Sequence, residues 1–390
     1  RDVARHVYVA HAGVLERMPG GMALAVPTRI EPLLRTKLLS PSGKLRILAE
    51  PFAPKRTSDA DESIEAFFER RVGKEGARRL AGPLLGGIYA GDVAKLSIRA
   101  TFPQLVRLEA EHGSLLKGFL SAELSRGGAA TSPTARELFA WLRRGGEARA
   151  ASPFLSLRGG MGVLVEALSR AIPAGSVHLG AEVTRLRRLP NGAWQVETAD
   201  RAVVADAVIV ATPAHVARRL VPDVDVAREL STIPYVSTAT VFFGLHRPSV
   251  AHDLQGFGFI VPPGEAQILA STWISSKWEG RAPAGGALVR AFVGGSRDPD
   301  RVASSTDAEL VELARSELER FMGPLGAPRF TRVHRYLDSN PQPHVGHGAL
   351  LARVRERLSA FPGLHLAGAA YDGVGIPDCI RQARAAADEV

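Results

Sequence analysis

Apolar residues recur at helical spacing in the segment Asp61 to Val72 (DESIEAFFERRV), where Ile64, Phe67, Phe68 and Val72 share one face. Acidic residues open this segment and Gly73 closes it, which predicts a helix with both ends marked. A second short helix is expected over Glu75 to Leu85, then a break at Gly86 to Asp92 (GGIYAGD), then a helix from Thr101 to about Glu111. Asp307 to Met322 is amphipathic throughout. Elsewhere the period falls to two. Val7 to Leu15 reads as strand, turn and strand with Gly13 in the turn, and Val177 to Leu189 pairs with Ala193 to Thr198 through Asn191-Gly192. Ala202 to Thr212 is a strongly apolar strand, while Val236 to Phe243, Gly256 to Val261, Ile268 to Ile274 and Leu288 to Val293 predict a mostly antiparallel sheet. The chain closes on strand Leu364 to Ala367, a glycine-rich turn and a helix through Ala387.

Composition narrows the class. At about 150 residues per domain, 390 residues predict two to three domains. The single cysteine, Cys379, excludes a disulfide framework and a multi-cysteine zinc site, and His178, His215 and His365 lack metal-ligand spacing, so no metal is expected. No apolar run reaches the roughly 18 residues of a membrane span. The net charge of +9 comes from arginines scattered in ones and twos, without interleaved aromatics, which argues for solvated faces and against nucleic acid. His347 beside Gly346 and Gly348 reads as a structural histidine. Residue 1 is Arg, no targeting signal follows it, and the abrupt start on a hairpin suggests missing upstream sequence.

The last segment carries the candidate chemistry. A strand feeds Gly368, then Tyr371 to Asp378 (YDGVGIPD), then a helix. Glycines there let a ligand approach the backbone, and the helix start offers unpaired N–H groups that stabilise negative charge. An ordinary strand-to-helix turn fits the same residues. The full string LAGAAYDGVGIPDCI, however, resembles the C-terminal flavin-binding signature of the protoporphyrinogen oxidases, within the flavin-containing amine oxidase superfamily. PLLGGIYAGDVAKLSIRATFPQL (Pro83 to Leu105), LRGGMGVLVEAL (Leu157 to Leu168), LQGFGFIVP (Leu254 to Pro262), RAFVGGSRD (Arg290 to Asp298) and NPQPHVGH (Asn340 to His347) occur in the family's order.

The departures from that family are specific. The strand and Gly-x-Gly-x-x-Gly turn that seat the FAD pyrophosphate are not found. Gly160 and Gly162 do not replace them, because Val165 stands where the third glycine belongs. By alignment the chain begins after roughly the first eighty to ninety residues of the family pattern. Ala369 stands where many relatives carry Asn, and Pro343 where many carry an aromatic residue.

The resemblance implies a mixed α/β fold: an incomplete FAD-binding Rossmann-like domain (152–234 and 338–390), an antiparallel-sheet substrate domain (235–337) and a helical membrane-associating domain (1–133). It implies FAD as cofactor, protoporphyrinogen IX and molecular oxygen as reactants, and no dedicated acid or base, since flavin N5 accepts the hydride. Arg5 would grip a substrate propionate, Gly91 would offer its carbonyl to pyrrole N–H groups, and Ile260 and Phe292 would flank the macrocycle, with Thr272 and Trp273 lining the same cavity. Val183 would read the adenine, and Gly368, Asp372, Gly373, Val374, Gly375 and Ile376 would hold the isoalloxazine edge. On residue type alone, Arg5 reads as a surface cation and Ile260 and Phe292 as core strand residues, while Gly91 fits a simple turn glycine as well. Ile30, Leu33, Leu34, Leu38 and Leu39, interleaved with Arg29, Arg35 and Lys37, suit peripheral contact with a membrane, as on the inner face of a bacterial cytoplasmic membrane. A helix packed on its own domain suits them as well, and a homodimer is compatible. Coproporphyrinogen III oxidation, amine oxidation and a non-catalytic porphyrin-binding role are the alternative functions. Coproporphyrinogen, with four carboxylates, would ask for more cations in the pocket.

Overall fold

The computed structural model describes residues 6–126, 134–144 and 155–390, and its contacts divide the chain into two compact units. One comprises Arg1–Gly146 with Pro234–His347, the other Glu147–Ile233 with Gly348–Val390. Arg5 and the expected end of the helical domain at residue 133 lie outside the described residues.

The first unit is organised by a seven-stranded sheet: β1 (Val7–His11), β2 (Val14–Arg17), β3 (Tyr235–His246), β4 (Gly258–Ile260), β5 (Ile268–Trp273), β6 (Gly286–Gly294) and β7 (Phe330–Pro341). Their order is β7-β3-β6-β5-β4-β1-β2, antiparallel except for the parallel pair β1–β4. That parallel pair joins the N-terminal segment to the sheet, so the helical and sheet regions share one unit. The Ala12–Gly13 turn has positive φ at both residues, 50° and 80°, which matches the twist of the β1–β2 hairpin.

Alternation gives the sheet two unlike faces. Val241, Phe243, Val289, Ala291 and Val293 point to one side and pack with Leu310, Ala314, Leu318 and Met322 of the helix Asp307–Met322. This helix has a full capping box, Thr306 with Glu309. The alternate residues of the same strands are only partly covered.

Helical segments occupy the rest of this unit. Ile64–Gly76 begins with Ser63 accepting from Ala66 N–H at 3.1 Å, and Gly73 takes φ +82° within it. Two expectations change here. The glycine break at Gly86-Gly87 is instead inside a helix, Gly82–Tyr89, because Gly86 packs where a Cβ would sit 2.9 Å from Val93; the chain turns only at Ala90, with φ +48°. Leu33, Leu38 and Leu39 are buried, and the helix bearing Leu33 is only Ile30–Arg35, so of the five residues suggested for bilayer contact Leu34 alone is strongly exposed. Among the described residues no helix is long and apolar enough to cross a membrane.

One buried ion pair ties these helices together. Arg71 and Glu50 are both fully buried. Arg71 Nε donates to Glu50 Oε1 at 2.8 Å, and its Nη2 reaches the same oxygen, the Glu50 carbonyl and the Gly113 carbonyl. The Glu50 carboxylate also accepts from Ser114 Oγ (2.6 Å), Leu115 N–H (2.9 Å) and Leu116 N–H (3.3 Å), satisfying the start of helix Leu115–Arg126.

The second unit contains a three-stranded antiparallel sheet (Val183–Arg188, Trp194–Thr198, Ala202–Ala205) and a parallel pair, Val208–Val210 with Leu364–Leu366. The apolar run from Ala202 therefore makes two strands rather than one. It changes sheets at Asp206-Ala207, against which Gly363 packs so closely that a Cβ would sit 2.8 Å from the Asp206 carbonyl. Fully buried Trp194 fixes the same corner by donating to Pro362 O at 3.0 Å. Arg353 makes a two-point bridge to Glu229, at 2.6 and 2.8 Å, between helices His347–Leu358 and Val224–Ser231.

Arg71→Met leaves the Glu50 carboxylate buried without its cation and is expected to destabilise the first unit by about 3–5 kcal/mol. The double variant Glu50→Leu/Arg71→Met is expected to regain only part of this, because the Ser114, Leu115 and Leu116 donors lose their acceptor. Urea midpoints of the three proteins measure both effects.

Candidate active site

Strand register brings three of the expected substrate residues to one face. Ile260 lies opposite Ala270, Ala270 opposite Phe292, Phe292 opposite Thr240, and Thr240 opposite His334. The adjacent row runs Gly258, Thr272, Arg290, Phe242, Arg332. Ile260, Thr272, Phe242 and Phe292 are half-buried there, on the side away from helix Asp307–Met322. Trp273 is a correction. As Thr272's neighbour in a pleated strand it points the other way, is fully buried in the core and packs on Tyr8 and His252 with centroids 5.5 and 4.5 Å away.

Gly258 permits this arrangement. At φ +127° its missing Cβ would stand 2.0 Å from the Ser271 carbonyl, so no side chain fits between β4 and β5. Gly91 also has a packing reason to be glycine, since a Cβ would meet Gln342 Oε1 at 2.2 Å and Leu96 at 2.8 Å. Buried Gln342 donates to Tyr89 O at 2.9 Å, and Ser296 N–H donates to Ala90 O at 2.8 Å. The Gly91 loop is thereby pinned to the end of β6, four residues beyond Phe292.

Arg290 and Lys277 were passed over on sequence. The Arg290 guanidinium carbon lies 4.4 Å from the Phe292 ring centroid and 5.7 Å from that of Phe242. Burial lowers the Arg290 pKa from its ordinary value, and burial followed by the charge of Arg290 lowers that of Lys277. A usable signal was present: Arg290 is the one cation in the apolar alternation of LVRAFVGG. The charges on this face are thus positive and set among aromatic rings.

In the second unit, Gly368 (φ +138°) leaves strand Leu364–Leu366 with open space where a Cβ would be, and Gly373 takes φ +114°. Helix Ile376–Asp388 starts at Gly375 with no side-chain cap, so no side chain takes up the N–H groups of its first turn, where Pro377 has none to offer. Gln382, buried on this helix, spans the turn: its Oε1 accepts from Gly368 N–H at 3.3 Å and its Nε2 donates to Gly373 O at 3.4 Å. Asp372 is exposed and paired with Arg355, Val374 is half-buried, and Ile376 is exposed. Val183 opens its strand opposite Thr198, just before a register shift. A glycine turn with open backbone ahead of an uncapped helix start fits the polar edge of a flavin. Gly368, Gly373, Val374, Gly375 and Ile376 would hold it, with Gln382 bracing them. Adjacent to the turn, a cavity of about 790 Å³ lies between helices His347–Leu358 and Ile376–Asp388, lined by Leu351, Leu358, Leu364, Tyr371 and Gln382 among others.

Comparison with known proteins gives the family. The coproporphyrinogen III oxidase of Bacillus subtilis is 34% identical over 386 residues, covering 98% of this chain and 78% of the relative. The protoporphyrinogen oxidase of Bos taurus is 34% identical over 390 residues, covering 95% and 77%. A crystal structure from Exiguobacterium sp. 255-15, provisionally named a protoporphyrinogen oxidase, superposes with a TM-score of 0.80 at 29% identity, covering 98% of this chain and 79% of that one. The family model for flavin containing amine oxidoreductases matches residues 2–390, and the chain belongs to that family as an FAD-dependent oxidoreductase.

Proposed function

We propose that this protein oxidises a porphyrinogen to the porphyrin with molecular oxygen as final acceptor. Six electrons and six protons leave the macrocycle in three two-electron rounds, and three oxygen molecules take them up as hydrogen peroxide. FAD, when bound, supplies the two-electron acceptor. The remaining work falls to the chain's own residues. Ile260 and Phe292 offer apolar and aromatic area to a flat ring, Thr272 sets the adjacent edge, and the Gly91 carbonyl accepts from pyrrole N–H groups. The observation that carries the reading is the gathering of Ile260, Thr272 and Phe292 on one half-buried face.

Protoporphyrinogen IX is the substrate first suggested by the sequence motifs, and coproporphyrinogen III, the substrate in the name of the Bacillus subtilis relative, is the second. Amine oxidation is opposed by the charge of the face. Arg290 and Lys277 repel an ammonium group and attract a carboxylate.

Incubated with either porphyrinogen, the flavin-loaded protein is expected to generate porphyrin fluorescence; oxidation of primary amines without oxidation of either porphyrinogen would sink the proposal. Phe292→Ala should lower kcat/KM about ten- to hundredfold through lost ring burial. Gln382→Leu removes the brace between Gly368 and Gly373 and is expected to weaken flavin retention about tenfold. Titration of the apoprotein with FAD, followed by flavin fluorescence, reads this independently of turnover.

A further inference from the structure

Arg290 has no explanation in the core. Among the described residues no carboxylate lies within salt-bridge distance of it, and its Nε is buried without a hydrogen-bond partner. Arg290 is half-buried, and a buried Nε donor with no acceptor carries a cost that an anion at the fork would relieve. Its surroundings state which kind. The flanking rings of Phe242 and Phe292 hold the fork in place from the side, which leaves its N–H edge for a planar acceptor. Lys277 ends the helix Ile274–Lys277 that follows β5, and its Nζ lies 5.6 Å from the ring centroid of Phe257, the neighbour of Gly258 in the Thr272–Arg290 row, which adds a second positive charge. Register places Arg290 beside Thr272 and one row from Ile260 and Phe292, the surface expected to take the macrocycle.

We propose that Arg290, assisted by Lys277, is a carboxylate-binding residue for an acid side chain of the porphyrinogen and makes the site prefer the substrate with four carboxylates over the one with two. This rests on the porphyrinogen reading above and adds to it a residue and a direction of specificity. The cation is distinct from Arg5. A propionate on Arg290 forms charge-assisted hydrogen bonds in place of the unmet Nε donor, and does so where Phe292 excludes water. Protoporphyrinogen bears vinyl groups at two of the positions where coproporphyrinogen bears propionates, so a ring orientation that sets a vinyl against Arg290 leaves the guanidinium unanswered. That penalty is the source of discrimination.

The test compares wild type with Arg290→Gln, Arg290→Lys and Lys277→Gln in the flavin-loaded protein. KM and kcat are measured for coproporphyrinogen III and protoporphyrinogen IX, and equilibrium binding for coproporphyrin III and its uncharged tetramethyl ester. Arg290→Gln is expected to raise the coproporphyrinogen KM about tenfold with kcat little changed, and to weaken coproporphyrin binding by a similar factor. The ester should bind all variants alike, protoporphyrinogen KM should move less than about threefold, and Arg290→Lys should restore part of the loss. Lys277→Gln should show the same pattern in weaker form, which covers the case in which Arg290→Gln fails to fold. Equal effects on both substrates overturn the direction of specificity, and equal losses for acid and ester overturn the carboxylate assignment, while both leave porphyrinogen oxidation intact. Wild-type protein that neither oxidises nor binds any porphyrinogen overturns both.

Discussion

The register of β6 against β3 and β5 is the constraint on which the first unit depends. Side chains alternate across a strand, so a slip of one residue would drive Arg290 and Phe292 into the packing of helix Asp307–Met322 and expose Val289, Ala291 and Val293. The core enforces the correct choice, because five apolar residues on β3 and β6 meet four on the helix. Site geometry is thus set by hydrophobic burial on the reverse of the sheet, and no site residue needs to hold its own position. Gly258 adds a local lock, since the separation of β4 from β5 admits no Cβ.

That alternation explains what was legible in the sequence. Helix Asp307–Met322 was read to the residue, because its amphipathic stripe is a local signal. The hairpins at Gly13 and Asn191-Gly192 were visible for the same reason. β7, twelve residues long, escaped notice: its sequence FTRVHRYLDSNP is polar and mostly exposed, and only pairing with β3 makes it a strand. Helix His347–Leu358 was missed as well; the motif NPQPHVGH ends at its first residue. Ile260, Thr272 and Phe292 were identified by resemblance and then shown by register to be neighbours. Trp273 was misplaced by ignoring that adjacent strand residues face opposite sides.

The buried Arg71–Glu50 pair shows a different use of charge. Both members are sealed, every oxygen of Glu50 is engaged, and the pair ties the segment at Glu50–Phe52 to helices Ile64–Gly76 and Leu115–Arg126. It is structural because it is complete. Arg290 is half-buried, with a sealed Nε that no acceptor meets. Comparing the two separates a cation that the fold consumes from one that it leaves over, a distinction invisible in a count of arginines.

The two ligand-facing surfaces are built on opposite principles. Around Gly368 to Ile376 the chain offers backbone, and its exactness comes from φ values that only glycine holds easily, with a single buried amide, Gln382, bridging the turn. A cofactor common to a whole family suits such a surface, since backbone atoms cannot be changed by substitution. On the sheet the offered atoms are side chains, one per strand per row, and each can be replaced without disturbing the packed reverse face. Selectivity between substrates that share a ring and differ in their acid groups therefore falls to the sheet, and within it to the position whose chemistry differs most from its neighbours. Arg290 and Arg332 are the cations of the row through Thr272 and Phe242, and of the two only Arg290 is half-buried among the aromatic rings.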